Sequence, residues 1–266
     1  MFYDAPETEK PFDRMADDGG FSAIFRTIAC IGDSLSSGEH EGTAEDGSGL
    51  YLDYFEYSWG QFMARTIGSK VYNLSRGGMT ANEYISTFAD ENGFWSPEYA
   101  SQAYIIALGV NDVNWAYAGT LGELSDIEND PRAAGKPTFA GDMAHIIRKV
   151  REQEPKSRIF LMTIPRNPDT DPEIIRREDR HAELIRGIAE AFPFTYVLDF
   201  RKYAPVYDEA FRKRFFVGFH MNAAGYLLTA KFVMSYLDYI IRHNPEDFCQ
   251  VGFIGKGGVH NGNYKW

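Results

Sequence analysis

The sequence predicts a doubly wound α/β fold, a five-stranded parallel sheet with helices on both faces, and three observations carry that expectation. Short apolar runs rich in β-branched residues recur along the chain, each delivers the backbone to Gly, Asn, Asp or Pro, and longer stretches of helical periodicity separate them. A strand that is apolar on both faces needs cover on both faces. Alternation with helices provides that cover and makes the strands parallel, in the flavodoxin-like manner.

Taken in order, the first strand is expected over Ala23 to Ile31, where Cys30 sits inside an apolar run and is read as buried. Trp59 to Ile67 has helical spacing and leads to a second strand, Lys70 to Leu74. The third strand, Tyr104 to Leu108, is followed by a helix over Phe139 to Glu152, and the fourth, Arg158 to Ile164, by a helix over Ile174 to Ala191. Thr195 to Phe200 is the fifth strand, and Ala223 to Ile241 is the last long helix, with Asn222 as its N-cap. Three connections, Glu39 to Tyr57, Asn114 to Pro137 and Pro165 to Glu173, are too long and polar for simple turns. Each follows the C-terminal end of a strand, where open α/β sheets place their ligand crevice.

Composition narrows the function. The 266 residues are 44% hydrophobic and 24% charged, as expected of one folded domain spanning 1–266, with an N-terminal extension over 1–22 and a glycine-rich tail over 243–266. The tail carries Phe248, Phe253, Tyr264 and Trp266, aromatics that suit packing on the domain or on a second subunit, so a homo-oligomer stays open. A balance of 27 basic against 38 acidic side chains leaves −11, which repels phosphate backbones and anionic lipid and argues against a nucleic-acid partner. Cys30 and Cys249 are too few for a disulfide framework, and no run reaches the roughly 18 apolar residues of a membrane span. Acidic residues near the start, where a signal peptide carries lysines, read as cytoplasmic; a secreted protein already cleared of its signal peptide reads the same.

Chemistry-bearing residues gather at the strand ends. Gly32-Asp33-Ser34-Leu35-Ser36 puts Ser34 in a tight turn past a buried strand, with its hydroxyl toward the crevice and its N–H at the start of a helical turn, a setting that suits a nucleophile. Asn73-Leu74-Ser75-Arg76-Gly77-Gly78-Met79-Thr80 follows the second strand, and its paired glycines allow close backbone approach and an exposed N–H. After the third strand, Gly109-Val110-Asn111-Asp112 offers the neutral amide of Asn111. With the amide of Ser34 these make three donors able to converge on one oxyanion. In Phe219-His220-Met221-Asn222, His220 lies just before the last helix, from where it can reach the crevice as a general base. His145 and His181 fall inside helices, His243 near a helix C-terminus, His260 in the tail, and His40 between Glu39 and Glu41 in what reads as a solvated acidic loop.

These four blocks in this order resemble the SGNH, or GDSL, hydrolase superfamily, over most of the chain from about Thr27 to Ile241. The resemblance implies a serine esterase or acylhydrolase with Ser34 as nucleophile, Gly78 and Asn111 as oxyanion donors beside the Ser34 amide, and His220 as base. The superfamily usually places the triad acid three residues before the histidine. Here that position is Val217, which leaves a backbone carbonyl near Val217, Asp199 or Asp208 as the candidates to hold the imidazole.

No cofactor is expected. Asp169-Thr170-Asp171-Pro172-Glu173 lacks the glycine and later glutamate of a calcium loop, and no His/Cys cluster has zinc spacing. A nucleotide-binding domain is disfavoured because Gly32-Asp33-Ser34 puts an acid where phosphate would lie. The expected substrate is a small ester, short-acyl or an acylated carbohydrate, with Tyr51, Tyr54, Tyr57, Trp115 and Tyr117 available to stack on sugar rings. A non-catalytic, ligand-binding family member is the alternative that the absent aspartate raises.

Overall fold

The computed structural model describes residues 5–114, 119–249 and 251. In chain order the strands are β1 (Thr27–Gly32), β2 (Glu39–Thr43), β3 (Gly49–Asp53), β4 (Lys70–Asn73), β5 (Ala103–Ala107), β6 (Arg158–Met162), β7 (Thr195–Leu198), β8 (Phe216–Val217) and β9 (His220–Met221). Five of them form one sheet in the order β4-β1-β5-β6-β7, and every pair in it is parallel. Having made β1, the chain steps outward to β4 and then returns to the other side of β1 as β5. The order therefore reverses at β1/β5, and the connections leaving those two strands diverge to open a crevice.

Period-two alternation divides each strand between two cores. Ala29, Ile31, Tyr104, Ile106, Ile159 and Leu161 face one side, under helices Phe139–Gln153 and Pro172–Ala191. Ile28, Cys30, Ala103, Ile105 and Phe160 face the other, under helices Trp59–Ile67 and Ala223–His243. Because both faces are covered, the strands tolerate continuous apolar sequence.

Several expected boundaries move for local reasons. The first strand begins at Thr27 because Gly20–Ile24 closes a 3-10 turn, and the fifth ends at Leu198 because Asp199 caps a helical turn by accepting from the Lys202 N–H at 3.2 Å. Residues 39–57, expected as a loop, instead form an antiparallel hairpin of β2 with β3, followed by the 3-10 turn Phe55–Tyr57. The hairpin is anchored by the Tyr54 N–H donating to the Gly38 carbonyl at 3.0 Å and by the Ser37 hydroxyl donating to Asp53 at 2.6 Å.

Residues ahead of β1 are integral to the packing. Phe12 lies against Phe200, Phe232 and Tyr236, with ring centroids 5.2–6.0 Å away. Arg242 is gripped by both carboxylate oxygens of Glu9, at 2.6 and 2.9 Å, and by Asp238 at 2.8 Å. Among the described residues no helix is long and apolar enough to cross a membrane.

Phe160 is fully buried with Phe25, Tyr196 and Phe248 at centroid distances of 5.9, 5.6 and 6.5 Å. Phe160→Ala is expected to lower the unfolding free energy by about 3–5 kcal/mol, read from the urea midpoint at unchanged slope.

Candidate active site

At the end of β1 the chain turns sharply into the short helix Ser34–Ser37. Asp33 caps it, its Oδ1 accepting from the Leu35 N–H at 3.0 Å, and Gly32 is required because a Cβ there would overlap the Ser36 hydroxyl. Ser34 is thus the first residue of a helical turn. Its N–H enters no hydrogen bond among the described residues.

After β4 the backbone returns to this turn through the Arg76 N–H, which donates to the Gly32 carbonyl at 3.4 Å. Gly78 has φ +72°, a conformation costly to other residues, and its surroundings are open. The Gly78 N–H is likewise unused among the described residues. After β5, Gly109 has φ +132°, and a Cβ there would run into the buried ring of His181. The Val110–Val113 turn that follows carries Asn111, whose Nδ2 donates to the Met79 carbonyl at 3.0 Å and so joins this loop to the one bearing Gly78. An amide nitrogen has two hydrogens, and one is left over.

β8 and β9 form a small antiparallel pair whose two-residue loop begins with Gly218 at φ +61°. His220 stands at the start of β9, mostly buried. Its Nδ1 is 2.6 Å from Glu41 Oε1, and its Nε2 is 3.3 Å from Glu39 Oε1. Glu39 and Glu41 are two residues apart on β2 and so share one face of that strand, one carboxylate at each ring nitrogen. Burial raises the Glu39 carboxyl above its ordinary range; His220 opposes the rise, and Asp53 and Glu41 add to it. A neutral imidazole has a single N–H. With that hydrogen on Nδ1 it is given to Glu41, and no hydrogen bond joins Nε2 to Glu39.

Ser34, Asn111 and His220 line one cavity of about 310 Å³, with Leu35, Trp59, Met162, Phe200, Tyr207 and Met221 making its apolar depth. Gly78 is not among the lining residues; its loop is joined to the group by the Met79–Asn111 and Arg76–Gly32 bonds. No hydrogen bond joins the Ser34 hydroxyl to His220. Among the described residues no three His, Cys, Asp or Glu side chains are grouped as a metal site needs.

None of the three groups expected to hold the imidazole is the one hydrogen-bonded to it. Asp199 binds Arg186 at 2.8 and 3.1 Å and accepts from Thr163 at 3.1 Å, and Asp208 caps the helix Glu209–Phe215 by accepting from the Phe211 N–H at 2.9 Å. Val217 pairs with His220 in strand register, which puts the two side chains on one face, and is about half exposed, while Nδ1 turns to Glu41. His40, expected to be solvated, is packed among Tyr54, Tyr57 and Tyr226. Tyr51, Tyr54 and Tyr57 are exposed on the hairpin and the turn after it; Trp115, Tyr117 and most of the tail, including Phe253, His260, Tyr264 and Trp266, lie outside the described residues.

The GDSL-like lipase/acylhydrolase family matches residues 30–228. The chain belongs to this family. Membership puts the protein among hydrolases of ester bonds. Solved structures agree on the fold. A family two carbohydrate esterase from Clostridium thermocellum, in complex with cellohexaose, is 17% identical with TM-score 0.57, covering 84% of this chain and 65% of that one. The psychrotrophic esterase EstA from Pseudoalteromonas, inhibited by monoethylphosphonate, is 16% identical with TM-score 0.52, covering 81% and 98%. A G-D-S-L family lipolytic protein from Desulfitobacterium hafniense is 17% identical with TM-score 0.52, covering 79% and 99%. No curated protein matches in sequence.

Burial leaves a pH signature around the Ser34 turn. The Asp33 carboxyl is pushed up to about 7 by burial and, less, by Asp112, and its Oδ2 has no hydrogen-bond partner; burial also pushes Asp112 up to about 7. A carboxyl that titrates higher folded than unfolded keeps its proton in the native state between about pH 4 and 7. Each such group therefore makes stability fall as pH rises through that window. His181, pushed down to about 4 by burial, acts in the opposite sense between about pH 4 and 6.5. Asp33→Asn keeps a cap oxygen and removes the buried charge. Urea unfolding at a series of pH values is expected to show stability declining less steeply from pH 4 to 7 in this variant, by on the order of 1 kcal/mol per pH unit.

Proposed function

We propose that the protein is a serine esterase that cleaves carboxylic esters through an acyl-enzyme, with Ser34 as nucleophile and His220 as general base. Ser34 Oγ bonds to the ester carbonyl carbon while its proton passes to His220 Nε2. The carbonyl oxygen becomes an oxyanion beside the Ser34 and Gly78 N–H groups and the remaining Asn111 N–H. Collapse breaks the C–O bond to the alcohol, which takes the proton from His220. Water then repeats the sequence on the acyl-serine, releasing the acid and restoring Ser34. The observation that carries this reading is the meeting of Ser34, Asn111 and His220 on one cavity at the sheet's switch point.

The substrate class we favour is a short-acyl or acylated-carbohydrate ester. The apolar depth of the cavity suits the acyl group. Outside it, Tyr51, Tyr54 and Tyr57 present exposed rings, and Tyr51 lies 6.1 Å from the His220 ring, a platform on which a sugar can stack. A non-catalytic ligand-binding role is the second reading, favoured by Glu39 meeting the Nε2 that a working base turns toward serine.

A fluorophosphonate probe and a series of p-nitrophenyl esters of rising acyl length separate the two. Covalent labelling that disappears in Ser34→Ala, with fastest turnover on the shortest acyl groups, is expected; absence of both labelling and turnover favours the binding role. Asn111→Ala is expected to lower kcat by about 100–1,000-fold with little change in KM. Near-normal kcat would leave Asn111 as a loop brace to Met79.

A further inference from the structure

We propose that Glu41, on the hairpin inserted after the nucleophile turn, is the carboxylate that positions His220. This rests on the reading of Ser34 and His220 as nucleophile and base, and it explains how an active site of this kind works with valine three residues ahead of its histidine.

The contact is short and built from both sides. Glu41 Oε1 is 2.6 Å from His220 Nδ1 and also accepts the Phe219 N–H at 2.6 Å, so one oxygen holds both the ring and the backbone that carries it. Both side chains are mostly buried, at 13% and 14% exposure, which strengthens a charge-assisted bond relative to one in water. Gly218 makes the approach available, because a Cβ at that position would collide with the Glu41 carboxylate. The loop ahead of His220 thus lacks a side-chain acid at 217 and has, at 218, a gap shaped for an acid from another strand.

Chemistry gives the contact its function. A carboxylate on Nδ1 keeps the proton on that nitrogen, leaves the Nε2 lone pair free to take the serine proton, and stabilises the imidazolium that results. Glu39 lies 3.3 Å from the other nitrogen without a hydrogen bond to it, so Nε2 is left for Ser34. Glu41 is therefore the orienting group, and Glu39 is a neighbouring carboxylate on the same strand. The other titratable groups near the ring are Tyr51 and Asp53 on β3, Arg212, which donates to the Gly218 carbonyl at 3.0 Å, and Tyr226 on the last helix, which donates to the Glu39 carbonyl at 2.5 Å. None of these contacts Nδ1.

The test compares the parent protein with Glu41→Gln, Glu41→Asp, Val217→Asp and the double variant Glu41→Gln/Val217→Asp. Thermal melting shows which of them fold. Readouts are kcat and KM on p-nitrophenyl acetate, the pH profile of kcat/KM, and the ring resonances of His220 followed by NMR across pH. Glutamine keeps the shape and removes the charge. Glu41→Gln is expected to lower kcat at least about 100-fold with KM changed less than about threefold, and to move the acidic limb and the His220 titration to lower pH, since loss of a neighbouring anion disfavours imidazolium. Glu41→Asp should recover part of kcat. The double variant, with an acid restored three residues before the base, should regain at least about tenfold over Glu41→Gln, whereas Val217→Asp alone crowds Glu41 and gains nothing. A folded Glu41→Gln with kcat within about threefold of the parent and an unmoved His220 titration overturns the proposal. Absence of ester turnover and of Ser34 labelling in the parent overturns the esterase reading instead, and the NMR titration still decides the role of Glu41.

Discussion

The constraint on which this structure depends is the reversal of strand order at β1/β5. A parallel sheet brings every strand's carboxyl end to one edge, and the reversal forces the two central connections apart there. Ser34 leaves β1, Asn111 leaves β5, and the loop with Gly78 leaves β4 beside them, so three segments far apart in sequence meet without any one of them being long. The backbone bond from Arg76 to Gly32 and the side-chain bond from Asn111 to Met79 then fix those turns against one another.

His220 reaches the same edge by a different route, on a short pair of strands held outside the main sheet. Such a pair has little core of its own. Its position comes from what grips it: Glu41 at the ring and at the Phe219 N–H, and Arg212 at the Gly218 carbonyl. The β2–β3 hairpin therefore belongs to the edge that carries Ser34 and His220, and its Tyr51 ring lies 6.1 Å from the histidine ring.

The sheet was legible in the sequence because its strands are buried on both faces, and continuous apolar runs such as Tyr104 to Leu108 have few other uses. The Ser34 turn and the Asn111 loop were legible because glycines at 32 and 109 mark where a side chain would collide. The hairpin was not. Glu39-His40-Glu41-Gly42-Thr43 is charged and partly exposed, so no burial pattern announces a strand, and its partner β3 is exposed along most of its length. Glu41 stayed hidden for a second reason: its contact with His220 spans 179 positions, and no local spacing encodes a bond of that range. Asp199 and Asp208 were plausible by residue type, yet both sit at helix starts, where a carboxylate is already engaged with backbone N–H groups.

The grip of Glu9 on Arg242 brings segments more than two hundred positions apart into one cooperative unit. The Pro6 carbonyl lies 3.3 Å from His243 Nε2, the Ala16 N–H donates to Ser235, and the Phe21 N–H donates to Asp238. Peeling away residues 5–24 would leave the buried Arg242 guanidinium with Asp238 alone, and fraying the last turns of helix Ala223–His243 would take from Glu9 its partner, so neither opening is cheap alone. The two segments share a single opening free energy and would exchange their amide hydrogens as one foldon. At its other end the same helix carries Tyr226, whose hydroxyl donates to the Glu39 carbonyl and lies 3.4 Å from that of Ser34. One 21-residue helix thus touches the Glu9 clasp at one end and the Ser34 turn at the other.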